Sequence, residues 1–269
     1  MLVTVIIFLR EVLEAALIIS ILLAVSQLMR YSRNWVFPAA ACGFAGGGVM
    51  ACSMKAISNM LDGTGQEVIN STLLFFMIAL ITLTCIWLAP VHHGNTDAGP
   101  RRAPARVMIV ILSSIVAIAI MDEISELYVY SYAAIQGQGN TISLITGGII
   151  GTGIGSSVGA ILYYLLVNLP RKFPLKISII ILILVAGGMA SHMAAYLSQA
   201  GWLPSQAPVW NTSAIIPEKS ITGQLLYALV GYEATPSPMQ VGFYLTAVLT
   251  IVIAMYLVYR QRNSLISSQ

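Results

Sequence analysis

Charge is what this chain has least of. Asp, Glu, Lys and Arg make up 9% of its 269 residues, against about 25% in a typical soluble domain. So few charges cannot cover a water-facing surface. The shortage excludes a disordered protein, a nucleic-acid-binding domain and an ordinary cytosolic enzyme. Cysteine is scarce too. Cys42, Cys52 and Cys85 lie in apolar stretches with no CxxC and no paired spacing. They read as small buried residues, not as a disulfide framework or a thiolate metal site. A cleavage site is also missing. The first apolar run, from Leu2 past Met29, has no small-residue stretch at a suitable place. It is expected to remain as a membrane helix.

What the chain does have is apolar length. Hydrophobic residues reach 58% and mean hydropathy is +0.85. A helix needs about 20 apolar residues to cross the hydrocarbon core. Seven such runs occur, roughly 2–28, 36–54, 68–89, 107–132, 141–167, 175–200 and 239–259. The expected fold is all-α, a polytopic membrane protein forming a single transmembrane domain over 1–269.

The basic residues orient it. Arg30 and Arg33, then Arg101, Arg102 and Arg106, then Arg171, Lys172 and Lys176, then Arg260 and Arg262 all fall on one side: 10 of the 13. Lys55 and Lys219 fall on the other, and Arg10 lies inside the first run. The positive-inside rule puts the N-terminus outside and the C-terminus in the cytoplasm, as in a protein of the cytoplasmic (inner) membrane. Trp35, Trp87 and Tyr259 fall near predicted span ends, where interfacial aromatics belong. The outside stretch 201–238 is long and rich in proline. Within it, Ile221 to Val230 is expected to form a short interfacial or re-entrant helix.

The few acids are not spread evenly. The first run carries Arg10, Glu11 and Glu14, and the fourth carries Asp122, Glu123 and Glu126. In each run two glutamates stand three apart, on one helix face, and Arg10 stands four from Glu14, where it can pair. Glu11 and Glu123 each lie 9 residues in from the outer edge of their runs. At a rise of 1.5 Å per residue, both are about 14 Å deep, near the middle of a roughly 30 Å core. Antiparallel helices can therefore bring the two ExxE pairs to one level. An inverted repeat would do so, with three helices over about 1–90, three over about 107–200, the outside loop 201–238 and a last helix over 239–259. Five carboxylates against one guanidinium leave a net charge of about −4 in apolar surroundings. Either protons or a multivalent cation must offset it. Oxygen ligands favour hard cations such as ferric iron, calcium, magnesium or manganese.

Competing readings stay open at this point. Arg10–Glu14 can be a helix-locking ion pair. A di-iron oxidoreductase would usually need Glu-x-x-His, which follows neither Glu11 nor Glu123. A membrane subunit of a redox complex would use the carboxylates for protons.

Small residues recur every fourth position at Gly147, Gly151, Gly155 and Gly159, and at Gly43 and Gly47. This spacing predicts close helix packing. Other candidates are His192 in the sixth run, as a metal or proton group or a packing residue, and Glu67 at the outer end of the third, as a cation recruiter or a helix cap. His92 and His93 lie at the cytoplasmic face, and Glu233 in the outside loop.

The motif Arg10-Glu11-x-x-Glu14 resembles the hallmark of the oxidase-dependent ferric iron permeases, which include fungal high-affinity iron permeases and bacterial EfeU-like proteins. Gly65-Gln66-Glu67, Ala186-Gly187-Gly188, Gln199-Ala200-Gly201-Trp202-Leu203-Pro204 and Gly223-Gln224-Leu225-Leu226 resemble further stretches of that family. Two positions depart from it: Val12 replaces a glycine, and Asp122 stands where the second motif has arginine. The resemblance implies a transporter and not an enzyme, with no tightly bound cofactor and ferric iron (Fe3+) as its cargo. It implies Glu11, Glu14, Glu123 and Glu126, with Asp122 beside them, as metal ligands, and Arg10, Glu67 and His192 in support. It also implies an extracytoplasmic partner, either a ferroxidase or a cupredoxin-like protein with a peroxidase, and no nucleic acid. Members linked to lead uptake make another metal cation the alternative cargo.

Overall fold

A computed structural model describes residues 1–92, 105–137, 140–170 and 173–266. In hydrocarbon every backbone N–H and C=O must be satisfied within the protein, and a helix does this locally. The long elements are α1 (Leu2–Leu28), α2 (Val36–Ser58), α3 (Gly65–His92), α4 (Ala105–Gln136), α5 (Thr141–Asn168) and α6 (Pro174–Gln199). A short α7 (Ile221–Val230) and a long α8 (Pro238–Ile266) follow, and no strand occurs among the described residues. The Asn140 side chain caps α5, accepting from the backbone N–H of Ile142 at 2.9 Å. Ser220 caps α7 in the same way, accepting from Gly223 at 3.0 Å. Gly231 then stops α7 with a φ of 68°, in the left-handed region that suits glycine.

Six helices, α2 to α6 and α8, are long and apolar enough to cross a membrane. The protein is an all-helical, polytopic membrane protein. α1 is not among the six, although its 27 residues give it comparable length. It carries Arg10, Glu11 and Glu14, and it is an inner helix, packed on α5, α4, α7 and α6. Several helices run past their expected ends by about a turn, because sequence hydropathy fades before helical hydrogen bonding does.

The packing has a crossed pattern. α1 packs chiefly on α5, and α2 on α4. Exchanging α1 with α4, α2 with α5 and α3 with α6 converts one of these pairs into the other. The pairs α1–α4 and α3–α6 map onto themselves. The glycines make the crossed contacts close. A Cβ on Gly151 would lie 2.6 Å from the Val5 carbonyl oxygen and 2.8 Å from the Leu9 nitrogen. On the other pair, a Cβ on Gly43 would lie 2.8 Å from the Ala117 carbonyl oxygen. Both ladders thus press against the helices that carry the glutamates. Ser20 Oγ adds a bond to the Gly159 carbonyl at 2.7 Å.

Beyond Glu14 the bundle interior turns apolar. Ile18, Ile21 and Leu22 of α1 share one buried cluster with Leu112 and Ile115 of α4, all essentially sealed. The outer surface is apolar as well, with Phe37, Phe44, Phe75, Ile149, Ile161 and Leu257 exposed. An apolar exterior, with Glu11, Asp122 and Glu123 kept inside, is what a lipid environment selects.

Three expectations are corrected. Trp35 is not an interfacial anchor: it is 5% exposed, and its indole N–H donates to Ser26 Oγ at 3.1 Å. An internal acceptor for that N–H makes burial favourable. Of the cysteines only Cys85 is buried, whereas Cys42 and Cys52 are exposed. They lie off the face of α2 that Gly43 and Gly47 press on α4. The side chain of His92, and all of His93, Arg101, Arg102, Arg171 and Lys172, lie outside the described residues.

Candidate cation site

The two acidic helices do meet. Glu11 and Glu123 are within side-chain hydrogen-bonding reach of each other across α1 and α4, and both are buried. Two carboxylates so close must share a proton or hold a cation. Asp122 is buried beside Glu123, with its Oδ1 unpartnered.

The second glutamate of each motif is tied elsewhere. Arg10 Nε donates to Glu14 Oε1 at 3.2 Å, as the spacing predicts. Tyr196 of α6 donates its hydroxyl to Glu126 Oε1 in a short hydrogen bond. Of the four glutamates, Glu14 and Glu126 are thus restrained by other side chains, and Glu11 and Glu123 are not. Among the described residues, no three acids, histidines or cysteines are gathered into a ready metal cage.

α6 and α7 complete the surroundings. His192 stacks on Tyr196, ring centres 4.6 Å apart, and meets Tyr227 of α7 edge-on at 6.1 Å. Tyr227 in turn lies under Arg10, with the guanidinium carbon 4.2 Å from the ring centre. Glu14, His192 and Tyr227 line a small cavity of about 20 Å³, space for a single water. Close packing lets α7 reach this depth. A Cβ on Gly188 of α6 would lie 2.8 Å from the Gly231 Cα.

Glu233 stands between α7 and α8. Ser191 Oγ donates to its Oε1 at 2.9 Å, and Gln240 Nε2 donates to Oε2. Burial holds its carboxyl above the usual carboxylate range, against the opposing pull of the Ser191 bond.

Arg10, Glu11, Glu14, Asp122, Glu123, Glu126 and His192 are thus gathered in one region. Glu67 is in the first turn of α3 and makes no hydrogen bond or ion pair with them. Tyr196, Tyr227, Ser191 and Gln240 were not legible as site residues. Only Tyr196 had a local signal, one helical turn after His192.

A family model, the iron permease FTR1 family, matches residues 1–266. The chain belongs to that family. It is a permease for iron, an integral membrane transporter and not an enzyme family. No curated protein and no solved structure matches.

Proposed function

We propose that this iron permease carries ferric iron inward across the cytoplasmic membrane, with the ion received first between Glu11 and Glu123. The observation that carries this reading is the burial of those two carboxylates on α1 and α4, near enough to act on each other. A trivalent cation replaces the shared proton there and offsets the repulsion between them. Glu14 and Glu126 then turn in, giving up Arg10 and Tyr196, so that oxygen ligands surround the ion. Asp122 adds a negative charge where related sequences have arginine, which favours binding of a highly charged cation.

The N-terminus faces outside in this reading, so the 201–238 segment receives the ion from an extracytoplasmic ferroxidase, cupredoxin-like or peroxidase partner. Trp202 and Trp210 are exposed there. Glu233 lies on the way in. Release on the cytoplasmic side requires the apolar layer of Ile18, Ile21, Leu112 and Ile115 to part, as alternating access demands.

Flux in proteoliposomes tests this, with ferric, ferrous and lead(II) ions offered at two pH values. Ferric flux abolished by Glu11→Gln and by Glu123→Gln is the expected result. Normal flux in both variants would sink the reading, and flux of divalent ions alone would replace the cargo.

A further inference from the structure

We propose that the crevice between α4 and α5 is a phospholipid site, with α1 as its floor. α4 and α5 each pack on α1 but scarcely touch one another. Two adjoining cavities fill the gap, of about 310 Å³ and about 630 Å³, and Leu144 lines both. The smaller lies at the end of the bundle where α1 starts, α4 stops and α5 starts. The larger continues from it along α5 as far as Gly153.

Polarity is ordered along this groove. Thr4, Tyr130, Asn140 and Ser143 line the smaller cavity. The Thr4 and Tyr130 hydroxyls share one hydrogen bond of 3.1 Å, which leaves one O–H of the pair to donate elsewhere. Asn140 uses its Oδ1 to cap α5, which leaves its amide NH2 as a donor. Past Leu144 the walls are Phe8, Ile145, Gly148, Ile149 and Gly153, with the hydroxyls of Ser131 and Thr152 among them. Those two can bond back to their own helices, as Thr146 does to the Ile142 carbonyl at 2.7 Å. The floor is packed: the Phe8 ring meets Tyr130 edge-on at 6.3 Å, and would lie 3.1 Å from a Cβ on Gly148. A Cβ on Gly153 would meet nothing within 4 Å, so the far end stays open.

Dimensions decide the occupant. Gly153 is 13 residues past Asn140, about 20 Å along the helix, and the hydrocarbon of one leaflet is about 15 Å deep. The groove thus runs from the glycerol level to the bilayer centre, as an acyl chain does. From Leu144 to Gly153 is about 14 Å, so the 630 Å³ cavity has a mean cross-section of about 45 Å². A helix with its side chains is about 10–12 Å across and needs about 80–110 Å². The groove is too narrow for a helix of a second copy and fits the flexible chains of a lipid. Ile145 and Ile149 beside it are 56% and 69% exposed, so it opens sideways to the hydrocarbon. Among the described residues no Asp, Glu, Lys or Arg lines either cavity. Binding therefore rests on the acyl chains and on donors to ester and phosphate oxygens, not on head-group charge. A lipid seated there joins two helices that otherwise scarcely touch. None of the acidic residues takes part, so the site stands whether or not they carry iron.

The test uses purified protein in mild detergent, stripped of lipid and then given palmitoyl-oleoyl phosphatidylethanolamine or phosphatidylglycerol. Native mass spectrometry counts bound phospholipid, and thermal melts read stability. One retained phospholipid per chain is expected, with Tm raised by about 3–6 °C at tenfold excess over Kd, equally for the two head groups. Gly153→Phe fills the far end and abolishes both. Tyr130→Phe keeps the ring against Phe8, loses the hydroxyl, and weakens binding severalfold. Gly242→Phe on α8 is the control. That glycine is equally bare, with nothing within 4 Å of a Cβ, and lies off the groove, so both readouts stay at wild type. No retained lipid in wild type would overturn the site. So would retention that survives Gly153→Phe, unchanged affinity in Tyr130→Phe, or an equal loss in Gly242→Phe. A strong preference for phosphatidylglycerol would overturn it in favour of charge attraction elsewhere, and a changed oligomeric state in Gly153→Phe would give the groove to a second copy.

Discussion

The guanidinium carbon of Arg10 lies 4.2 Å from the centre of the Tyr227 ring, so a residue of the short helix covers the one positive charge that the first helix carries. Its Nε meanwhile donates to Glu14. The arginine is thus bound to an element outside the repeat as well as to its own helix. Movement of α7 and release of Glu14 are mechanically linked through it.

That link predicts a difference between two substitutions at Tyr227. Tyr227→Phe keeps the ring face, so iron uptake stays near wild type. Tyr227→Leu removes a cation–π contact of about 1 kcal/mol and lowers Tm by about 2–4 °C. Uptake falls with it. Thermal melts and uptake assays on the pair check this, and equal behaviour of the two variants would contradict the role of the ring.

At Glu126 the expected change is a gain. Tyr196→Phe removes a hydrogen bond that competes with metal for the carboxylate. Charge-assisted bonds of this kind are worth about 1.5–3 kcal/mol, so iron binding should tighten about tenfold or more. Titration calorimetry with chelated ferric iron measures it. Weaker or unchanged binding would mean that the tyrosine does not restrain Glu126.

Gly151 and Gly153 sit two residues apart on α5 and should respond oppositely. A side chain at Gly151 would run into the α1 backbone at 2.6 Å and 2.8 Å, which cannot move aside as a side chain can. Gly151→Val therefore costs several kcal/mol, beyond about 3, by overpacking and helix separation, and gives aggregated or unstable protein. Nothing lies within 4 Å of a Cβ at Gly153. There Gly153→Ala is neutral or slightly stabilising. Size-exclusion profiles and melts of the two variants decide it.

Glu233 gives a pH dependence. Its folded carboxyl titrates above the ordinary range of about 4.3 because of burial. The folded form prefers the protonated carboxyl, so its contribution to stability is full below that ordinary value. It is lost as pH rises through the folded value. Wild-type Tm should fall over that window, and Glu233→Gln should flatten the fall. A steeper fall in the variant would reverse the assignment.

Much of the fold was legible because hydrocarbon leaves helices as the local solution, and lengths of apolar runs mark them. The meeting of Glu11 with Glu123 was legible too, from equal depth in antiparallel helices. What could not be read was which helix covers which. The glycine spacing announced close packing but not that the α5 ladder lies on α1 and the α2 ladder on α4, since small residues carry no address. Tyr227 escaped for a different reason, which also left Glu233 a candidate without its Ser191 and Gln240 partners. They lie in or beside a loop, where position is set by tertiary contact and not by periodicity.

The crossed glycine contacts also bear on how the chain is made. α1 needs the ladder of α5 for its closest neighbour, and that ladder ends at Gly159, well over a hundred residues later in synthesis. Until then the first helix lacks its main neighbour, although Leu74 and Trp35 of its own half lie against it. α2 likewise waits for α4. Each half thus holds the main partner of a helix in the other, so fragments cut between them are expected to be stable together and not apart.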